Sequence, residues 1–376
     1  MNLKKVFNIL ILVFTVLIFK AQDPIFVQFS NNPIYLNSSL AGEHKYRITS
    51  IFSQNWSLLP KSFNNQIVAY DMQLESKNRK KIDNENSTFN FLLMLRRNSE
   101  GDLSLNTKEF KFGIGYRTDV ASLLRIGFGI STKIGQKTIN WNNAVFVSDL
   151  DPIFGQVNSS SFIPPNFDSF WYKNAELGLS FRIRNHLKVY DWQINGGISF
   201  SDFIPQKNSF FYNDNISNDK LSVFLTFMSL KNEYRFNSFY QKQLFSQTFQ
   251  LNGEMKFRNI IGGVTIRTQF YSSELNNILG PWESLWFNFN YLEEFEDFKF
   301  LNISYSFGVT LSELGFQDTF LSHEISLKIF RLSENELSYS HEKDWFCPGD
   351  KGVRRSLNLK KQNIDKYNKK KAKKNR

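Results

Sequence analysis

Four histidines (His44, His186, His323 and His341), one cysteine (Cys347) and two short carboxylate runs (Glu293-Glu294 and Glu296-Asp297) are the side chains of this 376-residue chain best suited to acid–base or metal chemistry. Their spacing argues against such work. No histidine stands at ligand spacing from another histidine or from the cysteine, so no metal or cofactor is expected. The sequence has no Gly-x-Ser-x-Gly elbow, phosphate loop or dinucleotide fingerprint. The carboxylate runs flank Phe295 between two strand patterns, where a charged turn is expected. His323-Glu324 opens a strand, where a structural hydrogen bond is expected rather than a general base. Cys347 has no intramolecular disulfide partner. The residues point away from an enzyme.

Charge is the second chemical signal. The formal net charge is +11, but it is unevenly placed. Lys4, Lys5 and Lys20 lie in the first 21 residues, and thirteen Lys/Arg against four carboxylates lie beyond residue 341. The body between them is close to neutral, so nucleic acid is not an expected partner. Basicity belongs to a tail containing Lys360, Lys361, Lys369, Lys370, Lys371, Lys373 and Lys374. Three readings stand for that tail: contact with anionic lipid or peptidoglycan, docking on an acidic protein, or a disordered solvated end.

The elements that would position these residues begin with a secretory signal. Lys4-Lys5, the apolar run Val6–Phe19 and Ala21 have its three parts, and the run is too short to span a bilayer as a helix. Cleavage is expected after Ala21. The body then alternates. In Phe110–Tyr116 the aromatic and aliphatic residues share one face, and Lys111, Gly113 and Gly115 take the other. Leu124–Ile130, Leu177–Ile183, Phe249–Phe257 and Leu301–Val309 repeat the plan. The polar face is rich in Gly, Ser and Asn, as suits a crowded lumen rather than a surface facing bulk water. Forty Phe, fourteen Tyr and seven Trp on a chain of mean hydropathy −0.36 fit apolar residues pointing outward at every second position.

The expected fold is therefore all-β: one antiparallel transmembrane barrel of the bacterial outer-membrane type, spanning residues 44–341. Thirteen strands are assignable, near 44–56, 62–74, 86–98, 105–117, 121–136, 169–184, 189–203, 219–231, 243–258, 259–272, 283–293, 296–310 and 320–331. Even counts prevail in such barrels, so a fourteenth is expected without a definite place. Tyr116, Trp192, Phe200, Trp286 and Tyr291 are expected in interfacial girdles. Residues 138–168, 213–220 and 273–281 read as loops, as does the charged stretch 74–86. Residues 342–376 form the tail.

One segment follows neither pattern. Residues 22–43 begin Gln22-Asp23-Pro24 and continue through Gln28, Asn32-Pro33, Asn37, Ala41 and Gly42. This segment resembles the mature N-terminus of the PorP/SprF family of type IX secretion outer-membrane proteins. Phe29 stands where that family has Tyr, and Ser38-Ser39 where it has Pro-Ala. Tyr46–Trp56, Asp149–Gly155 and Ser322–Phe330 resemble the family's first strand, a mid-barrel loop and its terminal strand. The resemblance implies a non-catalytic barrel in the outer-membrane lipid, with periplasmic termini. It further implies partners among large secreted adhesins of the type IX pathway or periplasmic translocon ring proteins. Gln22, Asp23, Pro24, Gln28, Asn32, Pro33, Asn37 and Gly42 become the candidate partner-binding residues. Their expected role is an extended segment in the periplasm or along the lumen, its amides satisfying lumen groups, or a simple lead into the first strand. A passive diffusion porin is the competing function.

Overall fold

The structure, a computed structural model, describes residues 25–332 except 58–61, 75–86, 102–104, 122, 142–149, 152–154, 157–167, 186–191, 208–214, 217–218, 230–233, 245, 272–281, 297–298 and 312–320. The expected signal peptide and basic tail, with Cys347, lie outside it.

The described residues contain eighteen strands: β1 (Tyr46–Asn55), β2 (Phe63–Leu74), β3 (Thr88–Glu100), β4 (Leu105–Ala121), β5 (Leu124–Thr138), β6 (Leu150–Asp151), β7 (Gly155–Gln156), β8 (Ser169–Asn185), β9 (Trp192–Ser201), β10 (Gln206–Lys207), β11 (Asn215–Ile216), β12 (Lys220–Ser229), β13 (Tyr234–Gln243), β14 (Ser246–Phe257), β15 (Ile260–Tyr271), β16 (Trp282–Glu296), β17 (Lys299–Thr310) and β18 (Leu321–Arg331). Fourteen of them close a barrel in which every neighbour is antiparallel and β18 pairs back onto β1. The pairs β6–β7 and β10–β11 form two small ladders in the connections. Closure gives each barrel strand two partners, so no strand edge is left for lipid, where an unmade backbone hydrogen bond is most costly.

Burial follows parity along the strands. In β4 the inward positions Thr107, Glu109 and Lys111 are buried, and the outward Phe110, Phe112, Ile114 and Tyr116 are exposed. Polar side chains crowd the interior and apolar ones cover the exterior, the reverse of a soluble domain. All thirteen assigned strands are present. The unplaced fourteenth is β13, whose alternation is broken by an inward-facing aromatic, Phe239. Trp286 also departs from expectation. It points inward, its indole N–H donates to Ser284 Oγ at 2.9 Å, and Arg267 lies over its ring, so it belongs to the lumen and not to a girdle. β16 runs on to Glu296, so the strand expected to end near residue 293 continues through Glu294 and Phe295, where a charged turn is expected.

The even strand number puts the chain's entry into β1 and its exit from β18 at the same end of the barrel. At that end β14 turns into β15 through Arg258-Asn259 alone. The opposite end carries the long connections 139–168 and 202–219.

Candidate functional site

The lumen is occupied by the chain's own N-terminal segment. Ile25 sits toward the barrel end that carries the long connections, where its carbonyl accepts from Arg267. The segment then passes down the interior to Gly42 and Lys45, beside the start of β1. Where an extended path was expected, it folds into three successive helical turns, Phe29–Asn31, Pro33–Leu36 and Ser38–Leu40. Inside a closed barrel no strand edge is free to pair with it. Its backbone groups must be satisfied by its own turns and by wall side chains. Pro33 at the first helical position suits such a turn, because its fixed φ is already helical and its missing N–H is not needed there.

The wall supplies the rest. Glu324 on β18 accepts both backbone N–H groups of Val27 and Gln28, each at 2.9 Å. Gln250 on β14 donates to the Val27 carbonyl at 2.6 Å. The Asn31 carboxamide donates to Ser304 and Ser326, both at 2.9 Å, and the Gln28 amide donates to Ser306. Halfway down, Lys111 bonds the Ile34 carbonyl at 2.8 Å and the Glu176 carboxylate at 2.7 Å. Glu176 also accepts from the Ser38 backbone N–H at 2.7 Å, and Ser38 Oγ lies 2.6 Å from Ser131 Oγ. The Asn37 carboxamide donates to the Leu179 and Ile198 carbonyls at 2.9 and 3.0 Å. At the foot, Gly42 N–H donates to Asp71 at 2.7 Å and its carbonyl accepts from Gln73 at 2.9 Å. Asp71 in turn holds Arg47 by two bonds, at 2.8 and 3.1 Å, and Arg47 reaches the Leu40 carbonyl at 3.3 Å.

Shape matters as much as charge. Gly115, Gly129 and Gly178 are direct cross-strand partners on β4, β5 and β8, and together they form a trough under Ser38 and Ser39. A Cβ on Gly129 would lie 2.3 Å from the Ser39 backbone nitrogen, and one on Gly178 2.0 Å from Asn37 Oδ1. The segment's apolar side chains (Phe26, Phe29, Ile34, Tyr35, Leu36 and Leu40) pack on an inward apolar patch of Ile51, Ile67, Leu92, Met94, Phe224 and Phe239. This explains why β13 breaks its alternation: Phe239 packs on Phe29 in a tilted ring pair with centroids 5.4 Å apart.

Of the residues nominated from sequence, Gln28, Asn32, Pro33, Asn37 and Gly42 all lie in this buried segment. Gly42 has φ +67°, a conformation that favours glycine. Gln28 and Asn37 bind the wall, whereas the Asn32 carboxamide is buried with no hydrogen-bond partner among the described residues. Gln22, Asp23, Pro24 and all the nominated tail lysines lie outside the described residues. The clamps Asp71, Glu176 and Glu324 carry no motif that marks them as binding groups, although alternation puts Lys111 and the glycines inside. Inward parity was the available signal for all of them. His44 stacks on Phe330 at 4.5 Å, and His323 faces outward with Nδ1 2.9 Å from the Tyr305 hydroxyl. Among the described residues no group of three or more His, Cys, Asp or Glu side chains converges as a metal ion would require.

Next to the foot of the segment is a cavity of about 80 Å³, lined by Glu43, Arg47, Arg117, Arg182, Arg235 and Lys328 among others. Glu43 pairs with Arg182 at 2.5 Å and with Arg47 at 3.5 Å. Burial pushes the Glu43 carboxyl up, but Arg182, His44, Arg117 and Arg47 overcome that and hold it well below the usual carboxylate range. Its folded value is the lower one, so its contribution to docking is complete above the ordinary Glu value of about 4.3 and is lost as pH falls below it. Hydrogen exchange at residues 42–47, corrected for intrinsic rates, is therefore expected to stay slow down to about pH 4. It should quicken below that in the wild type, with Glu43→Gln fast throughout. Equal protection of the two proteins at neutral pH would refute this role for Glu43.

Residues 18–329 match the family model described as the type IX secretion system membrane protein PorP/SprF. No curated protein matches the chain. Solved structures similar to it include the β domain of the Bordetella autotransporter BrkA, at 9% identity and TM-score 0.38, covering 76% of this chain and 97% of that one. The translocator domain of the autotransporter NalP from Neisseria meningitidis is similar at 10% identity and TM-score 0.34, covering 81% and 94%. A deltaS2 mutant of the TodX monoaromatic hydrocarbon channel is similar at 11% identity and TM-score 0.39, covering 80% and 92%. The family model spans most of the chain, from the segment that fills the lumen to the last barrel strand, and the chain belongs to the PorP/SprF family of type IX secretion system membrane proteins.

Proposed function

We propose that this protein is a non-catalytic outer-membrane component of the type IX machinery that supports export or surface attachment of a large secreted adhesin through protein–protein contacts. The observation that carries this reading is the occupied lumen. A segment clamped at its top, middle and foot by buried charged and polar groups suits a barrel that works by docking and is at odds with a passive porin. Membership of a type IX secretion family supports the pathway. The entry into β1 and the exit from β18 lie on the periplasmic side in this reading, because the opposite end carries the long connections, which in outer-membrane barrels face outward. Ile25, at that opposite end, then lies toward the outer face, whereas a periplasmic N-terminus was expected.

Gln28, Asn32, Pro33, Asn37 and Gly42 act in this reading by fixing the segment, and Gln22, Asp23 and Pro24, just before it in sequence, contact the partner. The tail lysines make electrostatic contact with peptidoglycan, anionic lipid or an acidic ring protein of the translocon. Crosslinking in cells followed by purification tests the proposal. Recovery of one large secreted protein or a periplasmic ring protein supports it, and steady single-channel conductance by a protein that recovers no partner would overturn it.

A further inference from the structure

The outer wall carries an arrangement that the lumen does not explain. Arg97 on β3 and Lys108 on β4 are directly opposite each other and both face outward. Like charges facing each other across a strand pair repel, and the arrangement is costly without a counter-charge. Gln66 and Gln136 flank the pair along the same row, followed by Trp171, whose side chain is 69% exposed. The outward row above is Asn64, Ser99, Asn106 and Thr138, all neutral. The row below is Val68, Leu95, Phe110 and Ile134, with Lys173 beside Ile134 as a third outward cation. None of these neighbouring outward positions is a carboxylate.

Two further features turn a charge anomaly into a site. The wall here is concave, a groove of about 580 Å³ floored by the apolar row and walled by Trp171. The cations sit at its upper rim, toward the barrel end with the long connections, where an apolar band gives way to amides and an exposed indole. That is the boundary between hydrocarbon and headgroups. The apolar floor has the chemistry to take an acyl chain, a guanidinium opposite an ammonium has the chemistry to take a phosphate, and the long Lys173 stem allows its charge to reach upward toward the same headgroup.

We infer that the groove over β2–β5 and β8 binds a phosphorylated lipid, with the phosphate bridging Arg97 and Lys108 and an acyl chain lying over Val68, Leu95, Phe110 and Ile134. With the orientation proposed above, on which this assignment of leaflet rests, the lipid is lipid A of the outer leaflet.

Native mass spectrometry of the full-length protein, with diphosphoryl lipid A or phosphatidylglycerol added separately, tests it. Lipid A is expected to remain bound to the wild type and its occupancy to fall about tenfold in Arg97→Gln/Lys108→Gln. Lys242→Gln, which removes an outward cation on β13 away from the groove, should retain it. Heat-dependent gel mobility confirms that each variant is a folded barrel. Equal lipid A occupancy in the double variant and the wild type would overturn the site, and phosphatidylglycerol held as tightly as lipid A would overturn the assignment to the outer leaflet. Neither readout depends on recovering a secreted partner, so this inference and the proposed function can fail separately.

Discussion

Asp71→Ala is expected to release the foot of the lumen segment. Asp71 and Arg47 are almost wholly buried and bonded twice to each other, and Asp71 also accepts the Gly42 N–H. Removing the carboxylate leaves a buried guanidinium without its main partner, at a cost of about 3–5 kcal/mol. The barrel itself is held by its ladders, so the cost falls on docking of the segment, and the released fraction rises about a hundredfold or more. Maleimide labelling of Ser38→Cys in a Cys347→Ser background reads that fraction directly. Replacing both partners, as in Arg47→Leu/Asp71→Leu, should recover much of the loss, because an apolar pair leaves no stranded charge. Labelling of the Asp71→Ala protein at the wild-type rate would show that the pair does not hold the segment.

Gly129→Val attacks the same docking from the side of shape. Its Cβ would meet the Ser39 nitrogen at 2.3 Å and the Ser38 carbonyl carbon at 2.4 Å, and backbone atoms cannot rotate away as a side-chain tip can. β5 cannot retreat either, being hydrogen-bonded to β4 and β8 on both sides of Gly129. Overpacking of this kind costs about 1–3 kcal/mol, so the middle turn should lift from the trough and Ser38→Cys labelling should rise by about fivefold to a hundredfold. Gly262→Val is the matched control, since nothing lies within 4 Å of its added Cβ. If Gly262→Val labelled as fast as Gly129→Val, a general loosening of the barrel would be the cause, and the trough would have no special role.

Both effects arise from features that were only half legible in the sequence. Alternation placed thirteen strands and put Lys111, Gly113 and Gly115 inside, because parity is a local property that survives into the closed sheet. It missed β13, where Phe239 faces inward to meet Phe29, a residue some 200 positions away in sequence. It also put Trp286 in the girdle, since an aromatic near a strand end carries no mark of its facing when the lumen holds an apolar patch of its own. The glycines on the polar face were read as relief for a crowded lumen. What they relieve is the backbone of Ser38 and Ser39.

The segment shows the same division. Its motif residues were recognisable, and Pro33 and the asparagines ruled out a regular strand. Its compact path was not legible, because its shape is fixed by wall groups far off in the chain. Glu324 binds Val27 and Gln28 from almost 300 residues away, and Glu176 binds Ser38 from 138. No local window contains both partners, so His323-Glu324 read as a structural hydrogen bond without its acceptor role toward the segment being visible.

The central claim is that this segment stays in the lumen of the working protein and closes it. Conductance across a planar bilayer tests it most directly, measured on Ser38→Cys/Ser131→Cys/Cys347→Ser before and after oxidation. The two hydroxyl oxygens are 2.6 Å apart in the wild type, so a disulfide between the substituted positions should form readily. The account predicts that the bond forms in isolated membranes and that the oxidised protein shows no steady open channel, with conductance as low as that of the wild type. A protein that carries the disulfide and still conducts as an open pore would contradict it.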